Sequence, residues 1–457
     1  MQTWMRRWLE GIEPWFASIG LANLVVGTSS ILIPLTVSEV FGRSVGSLGL
    51  LAGLVSLMGV LGSLVWGRLS DAAHRRKPFV ILSFATACAC FAGIAAAGSF
   101  RQLLILNMVF NLFWVANASV SVLIVIENRA QPLWESRISR LNQIGALGWV
   151  SGLGLGAVFL AIAPRAMDEA AAIRLLFAII AGGAGVAAVL AVRFVPRTTP
   201  RFTRRRFRGA ILALGNMLVE RGRFSPFHLY HRLHPRLLPR ILLGVAGFRP
   251  GTKRFLVSTW LAFMGLGFFG IPLPLLLADR FSFSSSWVFT LFVIQHAAIV
   301  VAYPLTARRI KQTGNKRVLF GALSIRLVIF SAMAIALTVS RSIPSTPVLV
   351  AFFLVYGLTW SAFQVSGVAL ISRLAKPENR GAALGLYNAA AGVGWILAGA
   401  GSGYLAESAG YQAAFGASGV FLAASLAALT LVPQPAAVPH AKLPQPSDSR
   451  EGGPRLA

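Results

Sequence analysis

Long apolar stretches alternate with short polar ones along almost the whole chain. Twelve of them are about 20 residues or longer, over residues 15–39, 44–66, 78–99, 102–126, 139–163, 172–194, 254–278, 284–305, 317–339, 346–371, 382–406 and 411–432. A helix rising 1.5 Å per residue needs about 20 residues to cross a hydrocarbon core about 30 Å thick. The pattern therefore predicts an all-α integral membrane protein with twelve transmembrane helices. Two longer polar segments interrupt it: residues 195–253, and a tail from 433 rich in Pro, Ser and Gly with little to bury, expected to be disordered. Ahead of the first span, Trp4, Trp8 and Trp15 mix with Arg6 and Arg7. A short interfacial helix and a frayed aromatic belt both fit that mixture.

Composition agrees with the pattern. Hydrophobic residues make up 56% of the chain, charged residues 12%, and mean hydropathy is +0.70, which leaves too little polar surface to cover a soluble globule. The net charge of +28 is explained by membrane orientation rather than by nucleic acid, and no nucleic-acid partner is expected. With the N-terminus inside, and with residues up to two positions inside a span end assigned to the adjoining segment, 35 of the 42 Lys and Arg are cytoplasmic, six are outer, and Arg326 alone lies deep within a span. This asymmetry predicts a cytoplasmic-membrane protein with both termini in the cytoplasm. No short apolar leader with a small-residue cleavage site opens the chain, so the first span is expected to remain as an anchor. Cys88 and Cys90 lie two positions apart on one helix and point to roughly opposite sides, which makes them packing residues.

The chain repeats internally. Residues 27–35 (GTSSILIPL) align with 265–273 (GLGFFGIPL), sharing the first Gly and the final Ile-Pro-Leu; Asn142, Gly148 and Trp149 align with Asn388, Gly394 and Trp395. Two matches at nearly one displacement argue for duplication of a six-span unit. The expected domains are an N-terminal half (1–194), a basic cytoplasmic linker (195–253), a C-terminal half (254–432) and the tail (433–457). The linker is dense in Arg with one acid, Glu220. Its weakly apolar pieces, 209–219 and 237–248, could form interfacial helices drawn to anionic lipid headgroups, or the segment could simply join the halves and carry orienting charge.

The stretch GRLSDAAHRRKPF, residues 67–79, reads as a tight basic turn between the second and third spans. It resembles the loop motif of the major facilitator superfamily, G-x-L-[AS]-D-R-x-G-R-[RK]-x-x-[LIVF], with Gly67, Leu69, Ser70, Asp71, Arg75, Arg76 and Phe79 in place, Ala72 where that family has Arg, and His74 where it has Gly. The resemblance implies two parallel six-helix halves. It also implies a cavity lined by helices 1, 4, 7 and 10, a support and interface role for helices 2, 5, 8 and 11, and outer positions for helices 3, 6, 9 and 12. Asp71, with Gly67, Arg75, Arg76 and Arg380 at the start of helix 11, is implied as a cytoplasmic gating contact.

Polar residues at membrane depth face protein or water. In the fourth span Asn107, Asn111, Trp114 and Ser121 share one helical face; the tenth offers Tyr356, Trp360 and Phe363 with Gln364 beside them; the first adds Asn23, Thr28, Ser29 and Ser30. Cavity lining and interhelical hydrogen bonding both use such residues. Of these, Asn23, Ser29, Asn107, Asn111, Trp114, Tyr356, Trp360 and Gln364 are the candidate substrate contacts. Gly148, Gly152 and Gly156, and Gly399 with Gly403, form small-residue grooves for close helix packing. The fifth span resembles the superfamily's antiporter motif, but Leu153 and Ala157 stand where that motif has Pro and Gly, which puts its kink in doubt.

His296, near the middle of the eighth span, is the one midplane side chain that titrates near neutrality; proton coupling and neutral packing are both open to it. Glu39 and Asp279 sit at outer span ends and read as solvated. Arg326, on an outer helix by resemblance, reads as snorkelling to the inner interface.

These features predict a secondary transporter working by alternating access, monomeric, with a small neutral or amphipathic solute as its partner. No phosphate-binding loop or metal-spaced cluster appears, so neither a cofactor, a metal nor an enzymatic activity is expected. Facilitated diffusion, proton-coupled uptake of a sugar or other metabolite, efflux, and a non-transporting accessory role on the same fold all remain open at this stage.

Overall fold

The computed structural model describes residues 13–73, 76–128, 134–196, 248–339, 345–375 and 380–433. The expectations for the N-terminal interfacial helix, for residues 197–247 of the linker and for the tail lie outside these residues. Within them there is no strand, and twelve long helices follow one another: α1 Phe16–Leu35, α2 Val45–Ala73, α3 Lys77–Ala95, α4 Phe100–Asn128, α5 Trp134–Ile162, α6 Glu169–Phe194, α7 Pro250–Gly270, α8 Ser285–Thr313, α9 Asn315–Val339, α10 Thr346–Leu374, α11 Arg380–Ala409 and α12 Tyr411–Thr430. Eleven are long and apolar enough to cross a membrane. The chain is a multi-pass membrane protein.

At the basic end of the bundle, where α2 meets α3 and α8 meets α9, helices outrun the apolar pattern. α2 continues to Ala73, α8 to Thr313, and α5 begins at Trp134. Hydropathy marks only the part of a helix that meets hydrocarbon, while Ala, Leu, Arg, Lys and Gln keep a helix going beyond it. The stretch 67–79 is therefore not a dozen-residue turn. Residues 67–73 are the last turns of α2, and α3 resumes at Lys77.

Helix contacts repeat between the halves. In the first, α1 packs on α5 and α6, α3 on α6, and α4 on α2 and α3; in the second, α7 packs on α11 and α12, α9 on α12, and α10 on α8 and α9. The halves meet through α2 against α11 and α5 against α8. Adding six to each first-half helix number reproduces the second-half pairs, and the two crossing contacts exchange under the same operation, as a twofold axis along the membrane normal requires.

The structure adds a repeat that sequence did not reveal. α1 ends on a π turn, Thr36–Val40, and α7, broken at Ile271 and Pro272, ends through Leu273–Leu275 on a second π turn, Leu276–Arg280. The N–H groups of Phe41 and Phe281 each donate to the carbonyl five residues back, at 3.1 Å. Each turn is followed by a residue with positive φ, Gly42 at 56° and Ser282 at 53°. Glu39 and Asp279 stand exposed on these matching turns.

Polar side chains bolt helices together inside each half. Thr28 Oγ1 on α1 donates to the Gly152 carbonyl on α5 at 2.7 Å. Between α7 and α12, Ser418 Oγ donates to the Gly265 carbonyl at 2.6 Å and Ser425 Oγ to the Ser258 carbonyl at 2.8 Å. Such bonds hold helices where lipid offers no hydrophobic drive to pack them.

At the far end, opposite the basic one, the halves touch closely. A Cβ on Gly49 of α2 would lie 2.5 Å from the Gly399 carbonyl oxygen, and one on Gly403 would lie 2.7 Å from Gly49 Cα. Only hydrogen fits between these backbones. Beside them Ser286 Oγ on α8 donates to the Ala157 carbonyl on α5 at 2.7 Å, and Ser285 Oγ donates to the Glu169 carboxylate.

Candidate functional site: a cavity between the halves

Two cavities lie between the halves and share one stretch of wall. The first, about 570 Å³, runs toward the basic end and is lined among others by Asn23, Trp114, Asn117, Ser121, Asn142, Tyr303, Trp360 and Gln364. The second, about 410 Å³, lies toward the far end against Ser29, Ser30, Pro34, Asn107, Asn111 and Pro274. Trp149, Gln295, His296, Tyr356 and Trp395 line both. Those five come from α5, α8, α10 and α11. The wall thus draws on α5, α8 and α11 as well as on α1, α4, α7 and α10, a broader set than the resemblance implied.

Each of the eight candidate contact residues lies on one wall or the other. Several also satisfy their neighbours: Asn23 Nδ2 donates to the Ile19 carbonyl at 2.8 Å, Asn111 Nδ2 to both the carbonyl and Oδ1 of Asn107 at 3.0 Å, and Ser29 Oγ to the Val26 carbonyl at 3.0 Å. Asn117 accepts from Ser121 Oγ at 2.8 Å. Phe363 departs from its expected stripe; it is buried against Phe263, with ring centroids 5.2 Å apart.

The shared wall carries polar groups without partners. Trp149 Nε1, a donor, and Gln295 Oε1, an acceptor, are buried and make no hydrogen bond. Unmade hydrogen bonds at such depth are costly, and a small shift of these wall side chains would turn both groups to the cavity. Next to them His296 stacks on Trp149, centroids 6.0 Å apart at 17°, so the two halves touch ring to ring at this point. His296 Nδ1 lies 2.9 Å from the Phe292 carbonyl oxygen. With that nitrogen donating, the neutral ring keeps Nε2 as an acceptor. Sequence reasoning had marked Trp149, Asn142 and Trp395 only as repeat positions. Gln295, Asn117 and Tyr303 were missed, although Asn117 stands four residues before Ser121 and Gln295 immediately precedes His296.

Arg326 overturns its expected placement. It is fully buried rather than snorkelling, and Nη2 donates to the Tyr356 carbonyl at 2.8 Å. Its guanidinium lies 4.7 Å from the Tyr356 ring centroid, 5.4 Å from Trp360 and 5.9 Å from Phe330. α9 packs on α10, so a side chain near the middle of α9 finds aromatic faces closer than the interface.

Of the gating residues, the backbone places Gly67 and Asp71 in the last turns of α2 and Arg380 at the first position of α11. Their side chains and Arg75 lie outside the described residues. Arg76, just ahead of α3, is buried. The glycine grooves serve different neighbours. Gly148 and Gly152 face α1, where added Cβ atoms would lie 2.1 Å and 2.0 Å from the Gly20 and Leu24 carbonyl oxygens, whereas Gly156 faces Phe289 of α8. Among the described residues no group of three or more His, Cys, Asp or Glu gathers that could hold a metal.

Solved structures with this helix arrangement include a D-xylose–proton symporter (TM-score 0.67, 15% identity, covering 92% of this chain and 98% of that one). A peptide transporter, POT, in complex with sulfate is similar at TM-score 0.66, 16% identity and coverage of 92% and 94%. The nucleoside transporter NupG is similar at 0.61, 13%, and 91% and 96%. At these identities the likeness concerns the fold. No curated protein sequence matches the chain. The family model described as Major Facilitator Superfamily matches residues 15–249 and 255–454, and with twelve helices in two matching sets around a shared cavity, the chain belongs to that superfamily.

Proposed function

We propose that this protein is a secondary transporter that carries a small neutral or amphipathic solute across the cytoplasmic membrane by alternating access, with both termini and the 195–253 segment in the cytoplasm. The observation that carries this reading is the shared wall between the cavities, where Trp149 Nε1 and Gln295 Oε1 stand buried without partners beside a ring stack that joins the halves. A solute bound there is contacted by both halves. Its binding can therefore favour one of their arrangements over the other, which is what coupling a solute to a rocking equilibrium requires. The charge asymmetry of the loops supports the orientation, and the solved transporters named above bear similar folds. With that orientation, the close contact at the far end corresponds to a conformation closed on the outer side.

On the same reading we assign the roles. Asn23, Ser29, Asn107, Asn111, Trp114, Tyr356, Trp360 and Gln364 contact the solute, His296 carries any proton coupling, and Asp71 with Arg380 latches the cytoplasmic side. The test begins with thermal stabilisation of the purified protein across a library of sugars, nucleosides, peptides and amphipathic compounds, since a bound solute stabilises the folded state. Uptake of the stabilising compounds into proteoliposomes follows. Saturable uptake supports transport, whereas a compound that stabilises the protein yet never crosses identifies an accessory role instead.

A further inference from the structure

Arg326 is a buried cation with no anion. Among the described residues it forms no ion pair, Nη2 alone is bonded, and Nε and Nη1 have no hydrogen-bond partner although the side chain is 0% exposed. A guanidinium stays protonated in proteins, and a charge held in a low-dielectric interior without a counter-ion is costly to keep there. Three aromatic faces offset part of that cost. They leave two donor nitrogens, with three N–H groups between them, and a full positive charge uncompensated.

The charge is close to the cavity. Tyr356 lines both cavities and Trp360 the larger one, and these are rings against which the guanidinium lies, its carbon 4.7 Å and 5.4 Å from their centroids. A group in van der Waals contact with Tyr356, about 3.5 Å from the ring, is thus within roughly 8 Å of the guanidinium carbon. Among the described residues no Asp or Glu lines either cavity, so no described wall group neutralises the field, and a fully buried charge is screened less than one in water. The same walls offer Trp114, Trp149, Trp360 and Trp395 to an apolar body.

From this we infer that Arg326 sets the charge selectivity of the cavity: it makes the site take amphipathic organic anions, a carboxylate or sulfonate on an apolar or aromatic body, in preference to neutral or cationic analogues. This rests on the transporter reading and narrows its solute class. Arg326 acts on the solute's charge through space, as a charge-selecting residue behind the wall.

Matched probes test it on the full-length purified protein: naphthoate with naphthamide, phenylbutyrate with phenylbutyramide, and naphthylmethylammonium, with binding read from quenching of tryptophan fluorescence. In the unaltered protein each acid should bind about tenfold or more tightly than its amide, and the ammonium compound most weakly. Arg326→Gln should bring the acids to the level of the amides while leaving amide binding within about twofold, and Arg326→Lys should keep part of the preference. Equal binding of acid and amide by the unaltered protein, binding of none of the probes, or an acid preference that survives in Arg326→Gln would each overturn the inference. The unaltered protein decides the question if Arg326→Gln fails to fold. Uptake assays separate this from the transporter reading: flux of amides with no acid preference removes the charge selection alone, and acid-selective binding without flux of any probe removes transport alone.

Discussion

At the level of single residues, the polar groups of the shared wall differ in whether their hydrogen bonds are made. Asn23, Asn107, Asn111 and Ser29 bond mainly to their own helices, whereas Gln295 Oε1 and Trp149 Nε1 have no partner. Gln295→Leu should therefore weaken uptake of the stabilising solute about tenfold, the effect of one lost hydrogen bond, while the protein remains folded in the membrane. Trp114→Ala, which removes ring area from the wall, should raise the half-saturation concentration. Unchanged uptake kinetics in both variants would return these residues to packing. His296 allows a sharper experiment. Its ring joins the halves by stacking on Trp149, and a proton-coupled carrier needs a group there that changes charge. His296→Gln should abolish accumulation driven by a pH gradient yet leave exchange of labelled for unlabelled solute; full pH-driven accumulation would remove the histidine from coupling. The polar stripe of the fourth span was legible because 3.6-residue periodicity needs only residue types. Arg326 was misplaced for the converse reason, since a one-dimensional pattern locates a charge in depth but not the aromatic faces on the neighbouring helix.

Among the elements, glycine decides where helices touch. Gly399 and Gly403 meet Gly49 and Gly53 backbone to backbone at the far end, and a branched side chain there must push α2 and α11 apart. Overpacking costs about 1–3 kcal/mol, felt only in the conformation closed at that end. Gly403→Val should therefore shift the equilibrium about tenfold or more toward opening at the far end. In a protein lacking Cys88 and Cys90, a cysteine at Ser30 should then react faster with an impermeant thiol reagent added outside, and an unchanged rate would mean that this contact does not gate the cavity. Helix number and order were legible because each span is bounded by polar loops. The helix ends at the basic side were not: α2 runs through Asp71 to Ala73, where composition turns polar but helix propensity stays high. The matching π turns at Thr36–Val40 and Leu276–Arg280 escaped as well, because hydrogen-bond registers do not follow from apolar periodicity.

For the whole molecule, the α2–α11 and α5–α8 contacts exchange under the pseudo-twofold, so each half offers the other the same pair of surfaces, the arrangement the proposed rocking would use. The repeat was legible in Ile-Pro-Leu and in Gly148-Trp149 with Gly394-Trp395, although which walls the repeated tryptophans form required three dimensions. Asp71, near the basic end of α2, and Arg380, first residue of α11, lie on helices that already meet at the far end, and the proposed latch pairs the first with the N-terminus begun by the second when the basic end closes. Interactions of that kind are worth roughly 0.3–2 kcal/mol. Asp71→Asn should accordingly favour the conformation open to the cytoplasm and speed labelling of a cysteine at Gln364 from that side, again without Cys88 and Cys90; labelling and transport rates equal to those of the unaltered protein would reduce the motif to a loop-orienting role. Rocking itself is tested most directly by two spin-label distances measured in the same membrane, one between Ser44 and Ser408 at the far end and one between Gln143 and Arg309 at the basic end, in a protein lacking Cys88 and Cys90. Alternating access predicts two populations whose weights change when the transported solute is added, the far-end distance lengthening as the basic-end distance shortens or the reverse. Distances that stay fixed in the presence of saturating solute, or that lengthen together, would contradict it.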